Sequence, residues 1–258
     1  KGEEAEGYVV KNINWFPGHM AKALRKMEED VRLCDGIIYV LDSRAVFACF
    51  NKRLFTVFGN KPVVYVINKR DLISDSAARD IERYFREKGL VYELIDGLSK
   101  KDSQKIRSKC EWVMREKTER NKQKGITKSL RFMVAGIPNT GKSTIINTLC
   151  GAKKAETGNK AGVTRSNKWV RFGGFELLDT PGTMPPNMSD QRYARHLAYI
   201  GSINDDILNS EDIALQLIGE LKEIAPNEFA EKYKLDSLDK TPLELFDEIC
   251  KKRGYLLR

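Results

Sequence analysis

Short apolar runs rich in β-branched residues recur along the first two thirds of the chain. Between them lie stretches in which apolar residues return every three or four positions. Residues 36–41 (Gly-Ile-Ile-Tyr-Val-Leu), 62–67 (Pro-Val-Val-Tyr-Val-Ile), 90–95, 130–135 and 175–178 read as strands, and 19–34, 76–88, 103–120 and 142–150 as helices. Such alternation predicts a mostly parallel sheet with helices on both faces. Sheets of this kind hold their ligands at the carboxyl ends of the strands, so the residues directly after each run are the ones to examine. Beyond about Pro186 the pattern becomes helical only. Thr241-Pro-Leu-Glu244 has a capping hydroxyl, a proline in the first turn and a glutamate three residues after the cap. Leu243, Leu245, Phe246 and Ile249 then form an apolar face, and Gly254 marks the stop. The expectation is an α/β domain over residues 1–186 followed by a small all-α domain over 187–258.

Three motifs sit at predicted strand ends. Gly136-Ile-Pro-Asn-Thr-Gly141-Lys142-Ser143 follows one strand and opens a helix, the context a phosphate-binding P-loop requires. Its glycines let backbone N–H groups curl around phosphates, and the helix N-terminus adds partial positive charge. Asn139, Thr140, Gly141, Lys142, Ser143 and Thr144 are the phosphate-binding candidates. Lys142 suits the β- and γ-phosphates, and the Ser143 hydroxyl suits Mg²⁺. Asn68-Lys69-Arg70-Asp71 follows the strand ending at Ile67. In this N-K-x-D pattern the Asp71 carboxylate can accept from guanine N1–H and the exocyclic amine together, a pairing that adenine cannot offer. Asp179-Thr-Pro-Gly182 follows the last strand. Asp179 suits a water-mediated Mg²⁺ contact and the Gly182 N–H a γ-phosphate. Thr164, in Gly162-Val-Thr164, is the candidate switch residue that senses γ-phosphate through Mg²⁺, and an ordinary surface loop is the competing reading.

The base-reading motif precedes the P-loop, the reverse of the ordinary order in GTPases. Each motif hangs from its own strand end, so the pieces still converge. The cut leaves the segment around Gly182 without following strands to hold it, and the helical domain is the expected anchor. With these motifs, Asn14-Trp-Phe-Pro-Gly-His-Met20, Asp42-Ser-Arg-Ala45, Gly162-Val-Thr-Arg-Ser166 with Trp169, and Lys252-Arg-Gly254, nearly the whole chain resembles the circularly permuted ribosome biogenesis GTPase A (YlqF) family, which includes organellar relatives. The resemblance implies a circularly permuted P-loop GTPase domain. It implies hydrolysis of GTP to GDP with Mg²⁺ in late assembly of the large ribosomal subunit, and a C-terminal helical domain that contacts rRNA. The alternative is a GTP-dependent scaffold or RNA-binding switch with little intrinsic hydrolysis.

Two features depart from the family pattern. Thr183 stands directly after D-T-P-G, where members carry a hydrophobic residue in place of the water-orienting glutamine of other GTPases, and Met184 follows it. The base-closing segment is Asp96-Gly-Leu-Ser99. Two candidates can replace the glutamine. His19 can orient water or act as a base near neutral pH, against the plainer reading of a helix-start histidine. Asn139 occupies the position where potassium-activated GTPases place an asparagine, so a bound K⁺ is the second candidate. His196 reads as structural.

Composition adds one fact that the motifs lack. The net charge is +9, from 45 basic and 36 acidic residues. Residues 99–131 hold 12 Lys/Arg and 4 Asp/Glu, or +8, whereas 189–258 hold 10 and 14, or −4. The central segment is either a solvated helix face or a footprint for phosphate backbone. Lys251, Lys252 and Arg253 are the basic cluster on the helical domain. Five scattered cysteines without a C-x-x-C pair suit reduced thiols. No apolar run has membrane-spanning length, and the polar, acidic start resembles no targeting peptide. The expected setting is the cytoplasm, or a mitochondrial matrix or other organelle if an N-terminal segment is missing, with a chain monomeric off the ribosome and no membrane partner.

Overall fold

The computed structural model describes residues 3–5, 8–10, 13, 18–96, 99–151, 169–183, 190–204 and 208–255, with 3–5, 8–10 and 18–20 as backbone alone. Two compact units emerge: residues 16–188, and residues 1–15 together with 189–258. The first fifteen residues, expected with the nucleotide domain, therefore group with the C-terminal helices. Part of the reason is visible: Gln191 Oε1 accepts from the Ile13 N–H at 2.7 Å.

In chain order the elements begin with a short antiparallel pair, β1 (Glu3–Ala5) and β2 (Tyr8–Val10), which the pattern along the chain does not announce. Then come α1 (Gly18–Val31), β3 (Gly36–Asp42), α2 (Lys52–Phe58), β4 (Val63–Asn68), α3 (Asp75–Glu87) and β5 (Val91–Leu94). They are followed by α4 (Lys100–Gln123), β6 (Leu130–Gly136), α5 (Lys142–Cys150), β7 (Trp169–Phe172) and β8 (Phe175–Asp179). The second unit adds α6 (Gln191–Tyr199), α7 (Ser210–Ile224), α8 (Pro226–Tyr233) and α9 (Pro242–Lys252).

The six-stranded sheet runs β5-β4-β3-β6-β8-β7, parallel except for β7. The P-loop strand β6 lies at its middle. The base-reading strand β4 lies two places to one side and β8 lies next to β6 on the other, so permutation of the chain leaves the site's strand neighbours in place. All seven residues of β3 are buried, as expected of a central parallel strand covered on both faces. Ile38, Val40, Val64, Val66, Phe132, Val134 and Leu177 face one layer of the core, against Ile106, Cys110 and Met114 of α4 and Ile145, Ile146 and Leu149 of α5.

Helix α4 is longer than the expected 103–120. Ser99 accepts from the Asp102 N–H at 3.0 Å and starts the helix early, while Gly125, at φ +69°, lies just past its end. In the helical unit Ile218, Phe229, Leu235 and Leu245 form a small core. The capping box at Thr241 and Glu244 is formed in both directions.

Candidate nucleotide site

Registers fix the site before any side chain is considered. Asp42 pairs across with Asn68, Val40 with Gly136, and Val134 with Asp179. The carboxyl ends of four neighbouring parallel strands therefore finish together, carrying the base-reading segment, the P-loop and Asp179 on one rim.

The P-loop leaves β6 at Gly136 and enters α5 at Lys142. Asn139 takes a left-handed φ of +61°, and the Thr140 hydroxyl donates to the Ile137 carbonyl at 3.0 Å inside the turn. Gly141, at φ +95°, is the N-cap of α5, and a Cβ there would drive into Asn68 Nδ2. The glycine is thus required twice, by backbone angle and by space. The Lys142 ammonium is buried and donates to the Ile137 carbonyl at 3.3 Å. Burial lowers its pKa to about 8, with the Asp179 carboxylate opposing the shift. Burial in turn raises the Asp179 carboxyl, with Lys142 opposing. Ser143 and Thr144 are half-buried in the first turn of α5.

The base-reading segment is bonded directly to this loop. Asn68 Nδ2 donates to the Thr140 carbonyl at 3.0 Å, and Lys69 Nζ to the Asn139 carbonyl at 3.0 Å. Lys69 itself sits at φ +64°, a conformation that needs support in a residue with a long side chain. Support comes from three directions. Its carbonyl accepts from the Ser43 hydroxyl at 2.7 Å, its ammonium lies 2.8 Å from Asp42 Oδ2, and Asn139 holds the same ammonium from the loop. Asp42 is fully buried and also takes two hydrogen bonds from the Arg44 guanidinium. Burial works to raise its carboxyl, but the Arg44 and Lys69 hydrogen bonds outweigh it and hold Asp42 below its ordinary value. Asp71 is exposed, so its carboxylate is free to meet a base.

On the other flank, the Thr183 N–H donates to the Gly136 carbonyl at 3.2 Å, and the Thr180 hydroxyl donates to the Val134 carbonyl at 2.7 Å. A Cβ on Gly182 would lie 2.7 Å from Pro138 Cα, so the D-T-P-G backbone runs hard against the P-loop. Thr183, which stands where the family carries a hydrophobic residue, is fully buried.

Three buried oxygens on this rim, Asn68 Oδ1, Asp179 Oδ1 and Thr183 Oγ1, have no hydrogen-bond partner among the described residues. Each such group costs about 1–3 kcal/mol unless a ligand or water completes it. The donor set fits Mg²⁺, which takes oxygen ligands and keeps several waters: a hydroxyl at Ser143 and the unmet carboxylate oxygen of Asp179. Among the described residues no group of three or more His, Cys, Asp or Glu can hold a metal ion.

Thr164 lies outside the described residues, as do residues 97–98 of the base-closing segment. His19 belongs to α1 by its backbone, and its side chain lies outside the description. Ser99 of the base-closing segment is occupied as the cap of α4. His196 faces Glu220 at 3.0 Å in the helical unit. The residue that motif reading left without a role is Asp42. Its partner Lys69 lies 27 positions away, and only strand pairing brings the two together.

A family model described as "50S ribosome-binding GTPase" matches residues 131–247. Ribosome biogenesis GTPase A of Bacillus cereus is 37% identical over 247 residues, covering 95% of this chain and 83% of that protein. Its counterpart in Thermotoga maritima is 27% identical, covering 95% and 82%. Mitochondrial ribosome-associated GTPase 1 of Mus musculus is 32% identical, covering 86% and 71%. Among solved structures, GNP-bound YlqF from T. maritima superposes with a TM-score of 0.62 at 24% identity, covering 92% of this chain and 85% of that one. The permuted motif order, the strand-end geometry and these relatives agree: the chain belongs to the ribosome biogenesis GTPase A family of GTP-hydrolysing enzymes.

Proposed function

We propose that this chain is a GTP-hydrolysing switch in assembly of the large ribosomal subunit, associated with rRNA and monomeric away from it. Asp71 selects guanine. Lys142 neutralises the β- and γ-phosphates, the Gly182 N–H meets the γ-phosphate, and Ser143 and Asp179 hold Mg²⁺, the latter through water. Mg²⁺ supplies neutralisation of charge on the transferred phosphoryl group. Thr164 is the γ-phosphate sensor. The observation that carries the reading is the pair of 3.0 Å bonds from Asn68 and Lys69 to the P-loop backbone, which make base recognition and phosphate binding one rigid unit.

The base assignment is tested by Asp71→Asn. An amide there can donate to the 2-oxygen of xanthine and loses its match to guanine, so preference moves from GTP toward XTP; unchanged GTP preference would remove Asp71 from the role. Phosphate release with and without large ribosomal subunits tests the switch, since a GTPase serving assembly is stimulated by its particle. The group that replaces the missing glutamine is K⁺ on Asn139 or the imidazole of His19. Equal rates in K⁺ and Na⁺ would eliminate the ion, and an unchanged rate in His19→Ala would eliminate the histidine.

A further inference from the structure

We propose that the amino-end rim of the sheet, opposite the nucleotide, docks single-stranded RNA. The surface is made by the end of α4, the turn leading into β6, and the β7–β8 turn. The inference rests on the ribosomal reading above and names the surface that would serve it.

Helix α4 runs antiparallel to the strands and outgrows them. Its 24 residues span about 36 Å, against about 23 Å for the seven residues of β6. Its buried positions are Asp102, Ile106, Cys110 and Met114. After Met114 no residue is buried until Leu130, so the last turns of α4 and the following loop extend as a solvated arm. Residues 115–129 carry six basic and two acidic side chains. Lys117 is used locally, against Asp35 at 2.6 Å. Among the described residues, Arg120, Lys122, Lys124 and Lys128 have no carboxylate partner. Complementing the helix dipole accounts for one or two cations in the last turn. It does not account for Lys128, which lies beyond the helix.

Shape and aromatic exposure point the same way. A groove of about 480 Å³ lies here, lined by Arg115, Lys122, Lys128, Thr127, Gly173 and Gly174 among others. Two carboxylates border it, and both are engaged: Glu111 by Arg107 at 2.8 Å, and Glu119 by the Gln123 amide at 3.4 Å. Trp112 is 54% exposed on the outer face of α4, with the Arg115 guanidinium 4.3 Å from its ring centroid. Trp112 carries the Arg115 guanidinium, which also lies 3.8 Å from Glu116, and stands half exposed on the same helix as the lysines; a single strand presents phosphates for the lysines and a base face for such a ring. The acidic helical unit offers less, since its basic cluster at Lys251–Arg253 sits in a segment of net charge −4.

The test uses the full chain with GDP and a fluorescent single-stranded RNA of about twelve nucleotides, within the span of one binding site. Anisotropy is read across a salt series. The variant Lys122→Gln/Lys124→Gln/Lys128→Gln should bind about tenfold more weakly and lower the salt slope by about 2, since each phosphate contact contributes about 0.7 for single strands. Trp112→Ala should weaken binding about tenfold with little change in slope. GDP affinity and melting temperature should stay at wild-type values in both, which separates lost contacts from lost folding. Unchanged RNA affinity in both variants would overturn the proposal, as would a loss confined to Lys251→Gln/Lys252→Gln/Arg253→Gln. A duplex bound as tightly as the single strand and indifferent to Trp112→Ala would also overturn it. Stimulation of GTP hydrolysis by ribosomal subunits is measured separately. If subunits stimulate while the variants bind RNA normally, this surface fails and the assembly reading stands; the reverse pattern leaves the surface and removes the reading.

Discussion

The two ends of the central sheet are built on opposite principles. The carboxyl rim is dense: a buried ammonium, a buried carboxylate, left-handed backbone at Lys69 and Asn139, and three buried oxygens without a hydrogen-bond partner among the described residues. The amino rim is open, with fifteen consecutive residues of which none is buried and four cations, Arg120, Lys122, Lys124 and Lys128, that meet no carboxylate among the described residues. A small ligand that must be recognised atom by atom needs groups desolvated and fixed beforehand, and the fold carries the cost in strain and unmet hydrogen bonds. A long polyanion needs only charge and a flat ring, which a solvated helix supplies at little cost to the fold. Substitutions at the first rim should therefore affect nucleotide binding and stability together, while those at the second should affect neither.

The largest effect is expected at Gly141. Gly141→Ala meets both an unfavourable φ and Asn68 Nδ2, so the loop is strained and the Asn68 amide must leave its bond to the Thr140 carbonyl. GDP affinity should fall by at least about a hundredfold, equivalent to about 3 kcal/mol. Retention of affinity within tenfold, by calorimetry, would mean that the two segments are not the single unit inferred here.

Asp42→Asn comes next. The fully buried carboxylate holds Lys69 and Arg44, and removing its charge leaves two cations without it. Breaking a buried pair costs about 3–5 kcal/mol, and partial exposure of both cations lowers this to about 2–3 kcal/mol. Nucleotide affinity should fall as well, because Lys69 also holds the P-loop at Asn139. In the double variant Asp42→Asn/Lys69→Met, chemical denaturation should recover stability while GDP affinity stays low. Purely additive losses would show that the two residues are not coupled. The pH dependence has a defined sign. Asp42 is held below its ordinary value, so its contribution is complete above the unfolded carboxyl pKa and is lost as pH falls through the lower folded one. The acid limb of wild type should therefore be steeper than that of Asp42→Asn.

These two positions also mark how far the sequence could be read. Gly141 lies in a motif whose spacing, strand and helix are contiguous, so local pattern suffices for its role and for the five strands that alternate with helices. Asp42 acts through a register between strands, which no local spacing displays. The same distinction explains the elements that were missed. Helix α2, Lys-Arg-Leu-Phe-Thr-Val-Phe, carries β-branched and aromatic residues that suit a strand equally well, and its helical state depends on the Asn51 cap accepting from the Arg53 N–H and on Leu54 and Phe58 entering the core. Strand β7 has four residues and β1 and β2 have three each, too few for a period to show. The grouping of Ile13 with α6 spans 178 positions. Charge was legible only as a sum; which lysines remain unpaired required the structure.

Lys142 gives a smaller, graded effect. With a pKa of about 8 in the free protein, against an ordinary value of 10.5, the lysine is half neutral at pH 8. Phosphates restore its charge, so binding takes up about half a proton at that pH, falling toward zero near pH 6. Calorimetry of GDP binding in buffers of different ionisation enthalpy reads this uptake, kept below the pH at which guanine loses its own N1 proton. Stability of the free protein moves the other way. The unfolded chain holds more protons between pH 8 and 10.5, so stability rises with pH across that window as nucleotide affinity falls. Affinity and stability falling together would contradict the depressed lysine.

The smallest effect sharpens the contrast most. Lys122, Lys124 and Lys128 lie beyond Met114, the last buried residue of α4, and Trp112 is 54% exposed although it lies within the packed stretch. Trp112→Ala and each lysine substitution should change stability by no more than about 0.5 kcal/mol. Single-turnover GTP hydrolysis should match wild type, because none of these side chains reaches the carboxyl rim. If Trp112→Ala changes neither stability nor catalysis, binding is the property left to measure. If Trp112→Ala instead lowers the melting temperature by several degrees, the stack of Trp112 on Arg115 holds the arm in place, and the division between a dense rim and an open one would fail at its clearest residue.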